Sequence, residues 1–159
     1  LIQLYFFSKS YCLPGHRLGG ITAGPDLVFQ LAKIIDNIQI CAPRTVQHAV
    51  APMIDKLADW RHENRQRIAA RVSVFRHALN QLNGWNLMSS GAYFGFVRHP
   101  YSGVDSLKVA QIMARKAGVL VIPGAFFGDG QDAMLRFAFA NAGREVIAKL
   151  PDRLNNLTV

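Results

Sequence analysis

A chain of 159 residues, half of them apolar and 18% charged, is long enough for one packed domain or parts of two, and too apolar to stay disordered. No apolar run reaches the length of a bilayer span and no leader pattern opens the chain, so the sequence offers no membrane partner. The formal net charge of +8 would suit nucleic acid. Its cations, however, are strung along one stretch (Lys56, Arg61, Arg65, Arg67, Arg71 and Arg76) with no stacking aromatics between them. A solvated helix face is the expectation, and no nucleic acid partner. Cys12 and Cys41 lack framework spacing, which fits a reducing, cytoplasmic compartment.

Leu1 to Phe7 is almost wholly apolar, the pattern of a strand buried on both faces of a parallel or mixed sheet. Pro14-Gly15 supplies the central residues of a type II turn, with glycine accepting a positive φ. Arg17 to Thr22 reads as the strand leaving that turn. Pro25-Asp26 opens a helix whose Leu27, Leu31, Ile34, Ile35 and Ile38 fall at helical spacing, and Ala42-Pro43 ends it. From Thr45 to about Leu82 apolar residues recur every three or four positions, as in one long amphipathic helix or two in succession. Pro52 marks the kink or restart. A helix of this length is expected to connect two bodies.

After the Asn83-Gly84 turn signal, Gly91 to Val97 reads as a strand, broken at His99-Pro100. Asp105 and Ser106 can cap a helix running to Ala117, with Gly118 at its end. Gly118 to Ile122 reads as a buried strand stopped by Pro123-Gly124, and Met134 to Ala140 alternates as another. A last helix covers about Arg144 to Leu154, strained or divided by Pro151. Helix and strand in this order point to an α+β body.

Two constellations carry chemistry. Lys9 lies between Ser8 and Ser10 directly after the apolar run, and the turn brings Arg17 back toward it. Desolvation and a neighbouring cation push such an amine toward its neutral, nucleophilic form, which can form a Schiff base with a carbonyl. Arg17 offers a planar fork suited to phosphate. Together they suggest pyridoxal 5′-phosphate, whose aldehyde needs a lysine and whose phosphate needs a cationic clamp. A Pro-Gly loop with two solvated cations is spelled with the same residues. The second constellation is Arg136, a lone cation among Leu135, Phe137, Ala138 and Phe139. A charge there is costly unless paired, and a carboxylate is its best partner. An internal salt bridge, or an edge position in water, is the alternative. His16, His48, His62, His77 and His99 show no metal-ligand spacing and are assigned surface or loop roles. Cys12 has no histidine partner pattern for a thiol nucleophile.

The first constellation resembles the lysine motif of class I/II aminotransferases, the fold-type I pyridoxal phosphate enzymes similar to aspartate aminotransferase. There a small residue precedes the lysine and Gly-x-Arg-x-Gly follows it; Ser8, Lys9, Gly15, Arg17 and Gly19 fall on those positions. Phe6 departs from the pattern: a serine or glycine usually stands there, and the serine form bonds the phosphate. Cys12 is a milder departure. The second constellation is similar to the family's Pro-Gly-x-x-Phe-Gly loop and the arginine strand after it, through Pro123, Gly124, Phe127, Gly128 and Arg136. Gly91-Ala92-Tyr93-Phe94 resembles a small-domain strand that begins with glycine and an aromatic.

The resemblance implies an α/β fold: the end of a large cofactor-binding domain over 1–44, a long connecting helix over 45–82, and a small α+β domain over 83–159. It implies that the chain is the C-terminal portion of a longer protein, since family members carry a large segment ahead of the lysine. It implies an aminotransferase moving an amino group between an amino acid and a 2-oxo acid, with Lys9 and Ser8 at the cofactor, Arg17 on its phosphate and Arg136 on the substrate carboxylate. A homodimer is implied too. The family's aspartate at the pyridine nitrogen, its stacking aromatic and its glycine-rich phosphate loop are not among these residues, so the chain alone is expected to be inactive. The same fold also hosts C–S lyases and decarboxylases, and serves as an effector domain in transcription regulators.

Overall fold

In the computed structural model, which describes residues 1–159, the chain divides into two units, 1–64 and 65–159. The boundary falls inside the helical stretch rather than at either end of it. No helix is long and apolar enough to cross a membrane.

The first unit opens with two antiparallel strands, β1 (Gln3–Phe6) and β2 (Gly19–Thr22), registered Gln3↔Thr22 through Phe6↔Gly19. Between them lie a single helical turn, α1 (Phe7–Ser10), and a 3-10 turn over Pro14–His16. The strands approach closely: a Cβ on Gly19 would lie 3.1 Å from the Tyr5 carbonyl oxygen and 3.3 Å from the Phe6 ring, which makes glycine the residue that fits. The helices α2 (Pro25–Ile38) and α3 (Arg44–Val50) follow, then a 3-10 turn over Ala51–Met53, and the first turns of α4 (Ala58–Asn80).

Several expectations change here. Within this chain the apolar run is not buried: Leu1, Ile2, Leu4 and Phe6 are exposed, and β1 pairs only with β2. No positive φ falls at Gly15. Pro14-Gly15-His16 continues as a 3-10 turn, and the reversal is shared by two left-handed residues flanking it, Cys12 (φ 53) and Arg17 (φ 51). Ala42-Pro43 separates two helices, and Pro43 is the cap that begins α3. Pro52 marks the restart as expected, in the 3-10 turn between α3 and the residues leading to α4.

The second unit is built on a four-stranded antiparallel sheet of order β3-β4-β6-β5, from β3 (Asn86–Gly91), β4 (Phe94–Arg98), β5 (Ile122–Pro123) and β6 (Met134–Ala138). Helix α5 (Ser106–Ile112) starts at Asp105, whose side chain accepts from the Lys108 amide at 2.9 Å, the expected cap. It widens into a π turn over Met113–Ala117 and stops at left-handed Gly118 (φ 62). The last helix is divided, into α6 (Arg144–Ile147) and α7 (Leu150–Leu154). The stretch read as one strand from Gly91 to Val97 is the corner of a hairpin. Gly91 ends β3, the chain turns at left-handed Ala92 (φ 48), and Phe94 begins β4. The expected strand from Gly118 shrinks to Ile122–Pro123.

The last turns of α4 bury Phe75, Ala78 and Leu79 against one face of this sheet. The Phe75 ring lies 5.5 Å from that of Phe137 and 5.4 Å from that of Phe139. Each such side chain contributes about 1.5–3 kcal/mol by leaving water. The cations of α4 are more than a solvated face: the Arg71 guanidinium donates to the Ala140 carbonyl, and Arg76 Nη2 donates to Ser90 Oγ at 2.9 Å.

Candidate functional site

The first constellation is a single excursion from the hairpin. β1 and β2 close at Phe6↔Gly19, and the Phe7 amide donates to the Leu18 carbonyl at 3.2 Å. Everything from Ser8 to Arg17 lies beyond that closure, so Lys9 and Arg17 are held in one connection. The reversal between them is made by a different turn from the one expected, at Cys12 and Arg17 rather than at Gly15. Lys9 and Arg17 are both exposed, while Ser8 is half-buried. Arg17 turns one nitrogen, Nη1, to the Pro14 carbonyl at 3.0 Å, which steadies the guanidinium against its own loop.

Arg136 belongs to the second unit, in the middle of β6 and on the face opposite the core. The alternation is strict: Leu135 and Phe137 are buried with Val97, while Arg136 shares the other face with its register partner Phe96 and with Phe94. What the structure sets against Arg136 is two aromatic rings rather than a carboxylate. Its guanidinium carbon lies 4.3 Å from the Phe94 ring centre and 4.6 Å from that of Phe127. Phe127 is placed by the 3-10 turn Gly124–Phe127. That turn is anchored twice: the buried Ser106 Oγ accepts from the Ala125 amide at 3.1 Å, and Gly124 is packed so tightly on the Gln131 and Met134 carbonyls that a Cβ would overlap them. The glycine of Pro123-Gly124 is thus needed for close approach. Sequence reasoning missed Phe94, Phe127 and Ser106 as supports of Arg136. The alternation of Phe94 and Phe96 in β4 was the available signal for one of them.

His99 lies in the loop after β4, one of the two settings expected for the histidines, but it is buried there. It is 5% exposed, with Nε2 3.3 Å from the Asp132 carbonyl oxygen and Nδ1 buried without a partner. Burial lowers its pKa from the ordinary 6.5, against a smaller raising effect of that carbonyl and of the Asp105 charge. The unfolded chain therefore takes up the proton first as pH falls, and His99 contributes stability above 6.5 that is lost below it. Thermal melts from about pH 7.5 to 5 should show a falling midpoint that is shallower in His99→Leu; parallel curves would clear His99 of the effect. No group of three or more histidine, cysteine or acidic side chains is placed to hold a metal ion.

The sequence profile described as "Aminotransferase class I and II" matches residues 1–154. The chain belongs to the class I and II aminotransferases. This family uses pyridoxal 5′-phosphate. Among curated relatives, the chain is 26% identical over 158 residues to aromatic-amino-acid aminotransferase 2 of Thermococcus litoralis, covering 98% of this chain and 40% of that protein. The aromatic aminotransferase of Pyrococcus horikoshii superposes with a TM-score of 0.87 at 25% identity, over 97% of this chain and 42% of that one. A third aminotransferase, the α-aminoadipate enzyme of Thermus thermophilus in complex with N-(5′-phosphopyridoxyl)-L-leucine, shares the fold with a TM-score of 0.83 at 24% identity, over 98% of this chain and 41% of its own. The chain spans about 40% of the length of the aminotransferases it matches.

Proposed function

We propose that the protein to which this chain belongs transfers amino groups between an amino acid and a 2-oxo acid, with pyridoxal 5′-phosphate held at Lys9. The observation that carries the reading is the placement of Lys9 and Arg17, both exposed, in one connection closed by the Phe7–Leu18 hydrogen bond. The donor set fits the cofactor: a primary amine for its aldehyde, and a guanidinium of which the chain's own backbone engages a single nitrogen for its phosphate. When bound, pyridoxal phosphate supplies an electron sink for the substrate α-carbon. The Lys9 amine holds the cofactor and, once displaced, takes and returns the α-proton at Nζ. Ser8 lines the cofactor side, Arg17 neutralises the phosphate, and Arg136 orients the substrate carboxylate by its in-plane N–H edge. The domain reading over 1–44, 45–82 and 83–159, the homodimer and the cytoplasmic setting belong to this proposal; exposed, unpaired Cys12 and Cys41 support the last.

The test is a label transfer on the full-length protein loaded with pyridoxal phosphate. Nitrogen-15 from an amino acid should appear in the amino acid formed from an added 2-oxo acid. Release of carbon dioxide or a thiol without transfer would favour the decarboxylase or C–S lyase reading instead. A protein that binds the cofactor and DNA but turns nothing over would be the regulator.

Phe6 offers a second measurement. It is exposed on β1, with its ring edge over Gly19, at the position where the family's serine bonds the phosphate. A hydroxyl reaching a charged phosphate contributes about 1.5–3 kcal/mol, and Phe6→Ser should tighten cofactor binding about tenfold or more. Unchanged affinity in a titration would mean that other groups already satisfy the phosphate.

A further inference from the structure

The turn that carries Lys9 is gripped from one side by the start of α4. Tyr11, which ends α1, is 5% exposed, in a loop otherwise mostly open. Its amide donates to the Phe7 carbonyl at 3.0 Å, and its ring lies 5.4 Å from the Phe7 ring. On a helical turn residues four apart share a face. Phe7 and Tyr11 therefore form the anchored side, and Lys9, two positions from each, leaves from the other. Arg61 holds this anchor twice over. Its Nη1 donates to the Tyr11 hydroxyl at 3.1 Å, and its guanidinium carbon lies 4.9 Å from the centre of the Tyr11 ring. Asn64, three residues on and on the same face of α4, donates from Nδ2 toward Cys12 Sγ at 3.7 Å. Two positions of one helical face thus seize two successive residues of the lysine turn.

We propose that Tyr11 and Arg61 are positioning residues for Lys9: the pair fixes the anchored face of α1 and so sets the direction in which the Lys9 amine is presented. Neither side chain is assigned contact with substrate or cofactor. The inference rests on the reading of Lys9 given above. The physical case for a separate clamp is that α1 cannot aim Lys9 unaided. Four residues lie below the length at which a helix holds itself together, and the turn buries none of its own residues. Its orientation must come from outside, and Tyr11 is where the outside takes hold. A misplacement of about 1 Å at a reacting amine can cost on the order of a hundredfold in rate.

The experiment uses the full-length enzyme loaded with pyridoxal phosphate and compares Arg61→Gln, Arg61→Lys, Tyr11→Phe and Tyr11→Leu. In Arg61→Gln and Tyr11→Leu, kcat should fall about tenfold to a hundredfold while KM for the amino acid stays near the wild-type value, and in Arg61→Gln the melting temperature should stay there too. Arg61→Lys keeps a cation at the ring and should recover part of the loss; Tyr11→Phe keeps the ring and should lose least. Unchanged kcat in all four variants overturns the inference. So does a fall in melting temperature with kcat preserved, because the pair would then serve only the fold. Loss of folded protein in Tyr11→Phe, the mildest change, overturns it in the same way. Borohydride trapping of the cofactor on wild-type Lys9, run in parallel, separates the two claims. No trapped label at Lys9 defeats the function itself, whereas a trapped label with normal kcat in the variants defeats only the clamp.

Discussion

Full-length Lys9→Ala should retain no borohydride-trapped cofactor at this position, and its transfer rate should fall by about 10²–10⁴-fold or more, the contribution of a positioned acid–base group. The expectation follows from the excursion that holds Lys9 and Arg17 beyond the hairpin closure. Removing the amine takes away both the attachment and the proton carrier, while Arg17 still offers the phosphate a cation. The mutant should therefore bind pyridoxal phosphate reversibly, as an absorbing species that dialysis removes. Mass spectrometry after borohydride reduction locates the label. A pyridoxyl group on another lysine of the wild-type protein would reassign the attachment site and, with it, the function.

Arg136→Lys should raise KM for amino acids about tenfold to a hundredfold, since a lysine keeps the charge and loses the bidentate fork. The sequence left an internal salt bridge as the competing account of this arginine. The structure places Phe94 and Phe127 against it at 4.3 and 4.6 Å. Rings of this kind accept a lysine ammonium as well as a guanidinium, at about 0.5–2 kcal/mol for either. The substitution should accordingly change the melting temperature little, because no protein carboxylate is left stranded. Measured together, a raised KM with an unmoved midpoint supports carboxylate binding. A lowered midpoint with unchanged KM would return Arg136 to the fold.

The parts of this molecule that were legible in the sequence are those set by local chemistry. Asp105 caps α5, Gly118 ends its π extension in a left-handed conformation, and the alternation of Leu135 and Phe137 places Arg136 on the face away from the core. Hidden parts depended on partners distant along the chain. β3 reads as polar, Asn-Leu-Met-Ser-Ser-Gly, because β4 and not a hydrophobic pattern makes it a strand. The apolar run over Leu1–Phe7 reads as a buried strand, and within this chain, which spans about 40% of its relatives, β1 has one neighbour. The reversal after Lys9 was placed at Gly15 because glycine is the usual left-handed residue; Cys12 and Arg17 adopt that backbone instead. The ring partners of Arg136 could not be read from spacing, since Phe94 is brought beside it by strand register.

The left-handed backbone at Arg17 and at Ala92 has an evolutionary side. A non-glycine residue in this region carries roughly 1–2 kcal/mol of strain that glycine would not. At Ala92, the corner of the β3–β4 hairpin, nothing on the side chain compensates, so Ala92→Gly is a mutation that selection for heat resistance should find and keep. At Arg17 the same relief would come only with loss of the guanidinium from the lysine loop. Populations evolving under heat should relax the first position and leave the second strained.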